Sequence, residues 1–184
     1  MVIESKVCNF DWEAIDFKLK SIDEKYYSLD NLKGPNGTLI MFICNHCPYV
    51  KAISNKISYE TIELNKIGIN SIAIMSNDVD EYPEDSFNNM KIFSKKNNFQ
   101  FPYLLDESQD IAKKYNAQCT PDFFGFNKDL FLQYRGRLDS SGKNIDSNNL
   151  ERELYNAMKE ISLTDKGPRK QIPSIGCSIK WKIK

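Results

Sequence analysis

The sequence predicts an α/β protein whose central mixed β-sheet is flanked by helices and preceded by an N-terminal β-hairpin. A continuous apolar run, Leu39–Ile43, is typical of a strand that is covered on both faces of a sheet, and Ile69–Met75 is predicted to be a second buried strand. Segments with apolar residues at helical spacing alternate with these strands, which indicates parallel strands joined by helices. A closing strand hairpin adds antiparallel pairs, so the sheet is predicted to be mixed.

The N-terminal half is predicted to form a hairpin, a buried strand and a long helix. Residues alternate between apolar and polar over Ala14–Leu19, and the polar turn Ser21–Lys25 leads to Tyr26–Leu29, which together indicate a hairpin. The helix after the first buried strand begins at Pro48, because proline is favoured in the first turn of a helix. Its apolar stripe ends at Gly68, ahead of the second buried strand.

The second half continues the alternation of helices and strands. Its predicted elements are a helix that starts after Pro83, a strand over Pro102–Leu105, a helix over Asp106–Tyr115, strands over Phe123–Phe126 and Leu130–Tyr134, and a helix over Asn148–Ile161. No repeat or long linker divides the chain. We therefore expect a single domain over residues 1–184, with a C-terminal tail from about residue 164.

Composition excludes several classes of protein. The chain has 184 residues, about the length of one domain. Its 25 Lys and Arg residues balance its 25 Asp and Glu residues, whereas nucleic-acid-binding proteins normally carry a basic excess. The longest uncharged apolar run, Thr38–Cys44, is far shorter than the roughly 20 residues that span a bilayer. Since the N-terminus also lacks a signal-peptide pattern, we expect a cytoplasmic protein with no nucleic-acid or membrane partner.

The cysteines are more informative than the composition. A secreted protein held together by disulfides is usually shorter than this chain, richer in cysteine, and has an even number of cysteines. In a reducing cytosol, a single C-x-x-C pattern indicates either half of a metal site or a redox pair. The five cysteines are scattered except for one such pair: Cys8, Cys44, Cys47, Cys119 and Cys177.

The C-x-x-C pair lies where a buried strand is predicted to turn into a helix. The segment Cys44-Asn45-His46-Cys47-Pro48 therefore places thiols near exposed backbone N–H groups and the positive end of a helix dipole. These features lower the pKa of a thiol and make it nucleophilic, so we expect Cys44 to be a low-pKa thiolate. Cys47 is one helical turn away and can close a disulfide with it. A protonated His46 would stabilise the thiolate form and make the pair more oxidising.

A second pattern, Cys119-Thr120-Pro121, precedes the strand that starts at Phe123. A proline at the start of a strand is allowed at an edge or in a special turn, and a cis peptide bond is one solution. An ordinary trans proline that opens a loop is the alternative.

These motifs together resemble the thioredoxin fold, and more narrowly its peroxiredoxin-like branch, the alkyl hydroperoxide reductase/thiol-specific antioxidant (AhpC/TSA) family. The resemblance extends from about Phe17 to Trp181. The Cys-Asn-His-Cys-Pro-Tyr stretch is its most specific part. The segments that carry the resemblance are Tyr27–Gly34, Cys44–Lys51, Cys119–Phe124 and Pro173–Trp181.

The resemblance implies a thioredoxin-like fold with a cis Pro121 packed against the cysteine pair and a Thr120 backbone able to pair with a substrate chain. By analogy with thioredoxin, Cys44 attacks and Cys47 resolves the mixed disulfide. By analogy with peroxiredoxins, Cys47 followed by Pro48 is the peroxidatic cysteine, and Cys44 replaces the threonine of that family. No cofactor or metal is implied.

The favoured interpretation is therefore a thiol–disulfide oxidoreductase that acts on a protein or small-molecule disulfide and uses a thiol electron donor. A thiol-dependent peroxidase that reduces a hydroperoxide through Cys47 is the alternative. A non-catalytic binding module, or a metal site formed by Cys44, His46, Cys47 and Cys119, is a more remote one. Cys119 and Cys177 are candidates for additional redox thiols, and packing in the core is the simpler role for each.

Overall fold

The structure, a computed structural model, describes residues 1–142 and 150–183. It begins with β1 (Val2–Glu4), a strand that the sequence pattern does not reveal. The predicted hairpin follows as β2 (Lys18–Ser21) and β3 (Tyr26–Ser28), which pair antiparallel. A short helix, α1 (Leu29–Leu32), starts at once because the Ser28 side chain accepts a hydrogen bond from the Asn31 backbone N–H. The N-terminal β-hairpin is thus confirmed.

The cysteine pair lies between the first long strand and the helix that follows it. The buried strand β4 (Gly37–Phe42) is followed by α2 (Pro48–Lys66) and by β5 (Ile69–Met75), which pairs parallel with β4. Pro48 occupies the first turn of α2, as predicted, because its missing N–H would have no partner there. The segment between β4 and α2 contains both cysteines of the pair.

The middle of the chain differs from the prediction at the helix starts. The helix predicted after Pro83 is one turn of 3₁₀ helix, Pro83–Asp85, followed by α3 (Phe87–Lys96). After β6 (Tyr103–Leu105), α4 (Asp110–Lys114) begins later than Asp106 because Gln109 has a left-handed backbone conformation.

The closing elements include one strand that the sequence does not predict, the two-residue β7 (Cys119–Thr120). β8 (Asp122–Phe126) and β9 (Leu132–Tyr134) form the expected hairpin. The last helix, α5 (Glu153–Thr164), corresponds to the helix predicted over Asn148–Ile161. The first two residues of the predicted range lie outside the described residues.

The C-terminal segment, predicted only as a tail from about residue 164, contains a strand. β10 (Ile175–Ser178) lies between β1 and β7 in a separate three-stranded antiparallel sheet. The main sheet has the strand order β3-β2-β6-β5-β4-β8-β9. Its β4–β5 and β5–β6 pairs are parallel and its other pairs antiparallel, which confirms the predicted mixed sheet.

Two apolar clusters cover the faces of the main sheet. One cluster packs β4 and β5 against α2 and α5, and it includes both Cys44 and Cys47. The other centres on Phe42, Tyr115 and Phe124. Within residues 1–142 and 150–183, no helix combines the length and the apolar character needed to cross a bilayer.

Candidate active site

The cysteine pair occupies the turn between β4 and α2. Cys47 is the residue that precedes the first turn of α2, and Cys44 lies two residues beyond the end of β4. Both side chains are buried, with 1% of Cys44 and none of Cys47 exposed. The two thiols are close enough for each to be the largest influence on the pKa of the other. The structure therefore brings together the two residues that the sequence predicts as catalytic, at the predicted strand-to-helix turn.

The two thiols have opposite pKa shifts. The hydrogen bond from Cys44 lowers the pKa of Cys47, and the backbone N–H of Val50 in the first turn of α2 lowers it further. The same thiol–thiol hydrogen bond raises the pKa of Cys44, with burial and the nearby Asp85 carboxylate adding to the rise. The prediction that Cys44 is the low-pKa thiol is therefore wrong. Cys47 directly precedes the first turn of α2, so the positive end of the helix dipole acts more strongly on Cys47 than on Cys44.

Thr120 contacts both sulfur atoms from β7. Its Oγ1 lies 3.3 Å from Cys44 Sγ, and its carbonyl oxygen accepts a hydrogen bond from the Cys47 thiol at 3.0 Å. The Thr120–Pro121 peptide bond is cis, as the family resemblance implies. The carbonyl contact favours the thiol form of Cys47, whereas the Thr120 hydroxyl stabilises a thiolate on either cysteine.

A buried carboxylate holds the loop between the two cysteines. Asp85 is fully buried, and its Oδ1 accepts the backbone N–H groups of Asn45 at 2.7 Å and His46 at 3.1 Å. Its Oδ2 accepts Asn77 Nδ2 at 2.8 Å and lies 2.6 Å from His46 Nδ1. The Asn45 side chain completes the support, since its Oδ1 accepts the Tyr103 hydroxyl at 3.0 Å. Asn45 is thus a structural residue that positions the loop.

The His46 side chain lies beside Cys44. Its Nδ1 is 3.9 Å from Cys44 Sγ, and its ring stacks on Tyr82 with 5.4 Å between ring centroids. The hydrogen bond to Asp85 raises the pKa of His46. His46 therefore keeps its positive charge to higher pH than a free histidine, beside the thiol that has the raised pKa.

The positions of Cys44, His46 and Asp85 bear on the alternative interpretation of a metal site. Ligand atoms of Cys44, His46 and Asp85 lie within 4.8 Å of one another. Both Asp85 oxygens already accept two hydrogen bonds each, and His46 Nδ1 is directed at one of them. This set behaves as a hydrogen-bonded network, and it does not match the four ligands named from the sequence.

The two remaining candidate thiols have different positions. Cys119 precedes Thr120 on a strand, so its side chain points to the opposite face, where its thiol donates to the Pro121 carbonyl at 3.4 Å. Burial raises its pKa well above the usual range. Cys177, on β10, is half-buried and packs against the apolar cluster that contains Cys44 and Cys47. The structure therefore brings Cys177, and not Cys119, to the cysteine pair.

Sequence reasoning missed Asp85, Asn77, Tyr82 and Tyr103. A signal for the first three was present, because they lie in the segment that follows β5. The carboxyl ends of neighbouring parallel strands meet at one edge of a sheet, so the segments after β4 and β5 are expected to be adjacent. Tyr103 on β6 carries no comparable pattern, and only the strand order explains its contact with Asn45.

The comparison with protein families identifies the group. The AhpC/TSA family matches residues 11–136, which include the cysteine pair and the cis proline. The chain belongs to the AhpC/TSA family. Among curated proteins none matches the chain.

Solved structures extend the similarity to nearly the whole chain. An uncharacterized conserved protein from Geobacillus kaustophilus is 40% identical, with a TM-score of 0.94, 99% of this chain covered and 97% of that one. A hypothetical protein from Sinorhizobium meliloti 1021 is 31% identical, with a TM-score of 0.92 and coverage of 97% and 98%. A secreted disulfide oxidoreductase from Mycobacterium tuberculosis is 18% identical, with a TM-score of 0.55 and coverage of 64% and 80%, and this match concerns the fold.

The family match and the similar structures agree with the geometry of the site on the fold and on thiol-based redox chemistry. The chain has the thioredoxin-like fold expected from its sequence, with a central mixed sheet flanked by helices. Family membership and the paired thiols at a helix start indicate a thiol-based redox enzyme.

Proposed function

We propose that this AhpC/TSA-family protein is a thiol–disulfide oxidoreductase in which Cys47 is the reacting thiolate and Cys44 is the second thiol. The observation that supports this most is the placement of two buried thiols at the start of α2, where their interaction lowers the pKa of Cys47 and raises that of Cys44. Such a difference provides one thiol that reacts first and one that stays protonated until the mixed disulfide forms.

The proposed reaction is two successive thiol–disulfide exchanges. The Cys47 thiolate attacks one sulfur of a substrate disulfide, the substrate S–S bond breaks, and the departing thiolate takes up a proton. Cys44 then loses its proton and attacks Cys47 Sγ, which releases the second substrate thiol and leaves a Cys44–Cys47 disulfide. The substrate gains two electrons, which the two cysteines supply, and a thiol electron donor later reduces the new disulfide.

Burial of the pair favours a small-molecule disulfide as the substrate. Neither sulfur presents more than 1% of its side-chain surface, and β10 already pairs with the β7 edge beside them. A protein disulfide could reach Cys47 only after β10 moved away, whereas a small disulfide needs a much smaller opening.

A hydroperoxide is the second candidate substrate, because the low-pKa thiol is Cys47, which Pro48 follows at the helix start. In that reaction Cys47 attacks a peroxide oxygen, the O–O bond breaks, and the resulting sulfenic acid condenses with Cys44 to release water. Against it stands the placement of the arginines, since none of them forms a hydrogen bond with Cys47 within residues 1–142 and 150–183. Each arginine is engaged elsewhere: Arg135 with Asp122, Arg137 with Glu153, Arg152 with Glu60, and Arg169 with the Phe10 ring.

Trapping with single-cysteine variants tests the proposal. In a Cys177→Ser background, Cys44→Ser treated with glutathione disulfide should accumulate a glutathione adduct on Cys47, because the thiol that releases it is gone. Cys47→Ser in the same background should accumulate none. Cys119→Ser, which removes a buried thiol on the other face of β7, is the matched control and should turn over like its parent.

Two outcomes would change the assignment. A stable adduct on Cys44 in the Cys47→Ser variant would make Cys44 the nucleophile, as the thioredoxin analogy implies. Fast formation of a dimedone-reactive sulfenic acid on Cys47 with hydrogen peroxide, without a glutathione adduct, would favour the peroxidase.

A further inference from the structure

The half-buried thiol of Cys177 is held against the cysteine pair by backbone pairing. β10 pairs antiparallel with β7, and in this register Cys177 lies opposite Thr120, whose carbonyl contacts the Cys47 thiol. Facing residues of an antiparallel pair project to the same side of the sheet, so the Cys177 side chain lies on the side from which Thr120 Oγ1 contacts Cys44 Sγ at 3.3 Å. Cys177 packs against the apolar cluster that contains Cys44 and Cys47, and it contributes to the lowered pKa of Cys47.

The segment that carries Cys177 is fixed in place on both sides. Ser174 Oγ donates to the Pro121 carbonyl at 2.7 Å, and the Ser5 backbone N–H donates to the Ser174 carbonyl at 2.8 Å. Beyond the strand, the Lys180 backbone N–H donates to Asn77 Oδ1 at 2.9 Å. Gly176 allows the close approach, since a Cβ there would collide with the Thr120 carbonyl oxygen. These hydrogen bonds and the strand pairing therefore fix the position of Cys177 beside the cysteine pair.

Exposure to solvent differs among Cys44, Cys47 and Cys177. Cys44 and Cys47 are buried, so a reducing thiol reaches a disulfide between them less readily than a disulfide that includes Cys177. Cys177 is half-buried, and it is the thiol of the three that lies nearest to solvent.

We propose that Cys177 is a third redox thiol, which receives the disulfide from the Cys44–Cys47 pair and presents it to the reducing thiol. This inference rests on the proposed function, because it needs the Cys44–Cys47 disulfide as its starting point. It adds to that function a route by which a buried disulfide is reduced.

The transfer is an exchange without net oxidation or reduction. Cys177 Sγ attacks Cys47 Sγ, the Cys44–Cys47 bond breaks, and the proton of Cys177 passes to Cys44. The reducing thiolate then attacks Cys177 Sγ, forms a mixed disulfide with it, and releases Cys47 as a thiolate. Burial raises the pKa of Cys177 to about 11, whereas Cys47 has a lowered pKa and is the better leaving group of the two.

A non-reducing peptide map of single variants tests the transfer. Reduced wild type, Cys44→Ser, Cys177→Ser and Cys8→Ser are oxidised with diamide, quenched in acid, and blocked with N-ethylmaleimide. Cys44→Ser should form a Cys47–Cys177 disulfide, Cys177→Ser only Cys44–Cys47, and wild type both. When glutathione is then added, the disulfide of Cys177→Ser should be reduced more slowly than that of wild type by on the order of tenfold or more. Cys8→Ser, which removes another half-buried thiol outside the site, should match wild type.

The outcomes separate this inference from the proposed function. A Cys44–Cys47 disulfide in Cys177→Ser, with no Cys47–Cys177 disulfide in Cys44→Ser, would overturn the transfer and leave the proposed function standing. Equal rates of reduction by glutathione in wild type and Cys177→Ser would also overturn it. No disulfide in either variant would overturn both.

Discussion

The thiol–thiol hydrogen bond gives a quantitative prediction for the pKa of Cys47. Cys44→Ala removes the donor that stabilises the Cys47 thiolate. A hydrogen bond to a charged group contributes about 1.5–3 kcal/mol, and one pKa unit corresponds to about 1.4 kcal/mol. The pKa of Cys47 should therefore rise by about 1–2 units in Cys44→Ala. Cys44→Ser keeps a hydroxyl donor and should shift the pKa by less than the alanine variant does.

The ultraviolet absorbance of the thiolate, followed against pH, measures this shift without requiring a reagent to reach the buried sulfur. Cys47→Ser identifies the contribution of Cys47, because the low-pH step in absorbance should disappear in that variant. A Cys47 titration that is unchanged in Cys44→Ala would refute the role of the hydrogen bond. A low-pH step that persists in Cys47→Ser would refute the assignment of the thiolate to Cys47.

Four further predictions follow from individual contacts. Because Asp85 raises the pKa of His46, the stabilisation by this pair is fully present below about pH 6.5 and is lost as pH rises through the raised pKa. His46→Asn should thus lower the free energy of urea unfolding by more near pH 6 than near pH 9. His46→Pro should make the redox potential of the cysteine pair more negative in glutathione buffers, and an unchanged potential would remove His46 from the redox chemistry. Arg135→Met leaves the fully buried Asp122 without its ion-pair partner and should cost about 3–5 kcal/mol of unfolding free energy in urea. Ser71→Ala should leave the melting temperature unchanged or raise it, because the buried Ser71 hydroxyl makes no hydrogen bond among the described residues.

Much of the fold could be predicted because its central elements carry strong local patterns. The strand predicted over Ile69–Met75 has the same limits in the structure, and Pro48 marks the start of α2 as expected. β7 and β10 could not be found in this way. They are short, and they exist because backbone groups of Thr120 and Gly176 approach each other closely across the fold.

The sequence also identified the cysteine pair but predicted the lowered pKa for Cys44, whereas it is the pKa of Cys47 that is lowered. The spacing of Cys44 and Cys47 indicates a redox pair without indicating which sulfur the helix terminus and its neighbours favour. That depends on Asp85, which faces Cys44 from the segment after β5, and on the N–H groups of the first turn of α2. Such long-range electrostatic effects are set by the tertiary structure.

A residue-resolved redox titration tests the central claim, that Cys44 and Cys47 form the redox couple, most directly. The Cys177→Ser variant is equilibrated in glutathione buffers of graded potential, quenched in acid, alkylated and mapped by mass spectrometry. We expect Cys44 and Cys47 to be oxidised to a disulfide together in a single two-electron transition, while Cys8 and Cys119 remain reduced. Free thiols at Cys44 and Cys47 across the whole range of potentials would contradict it.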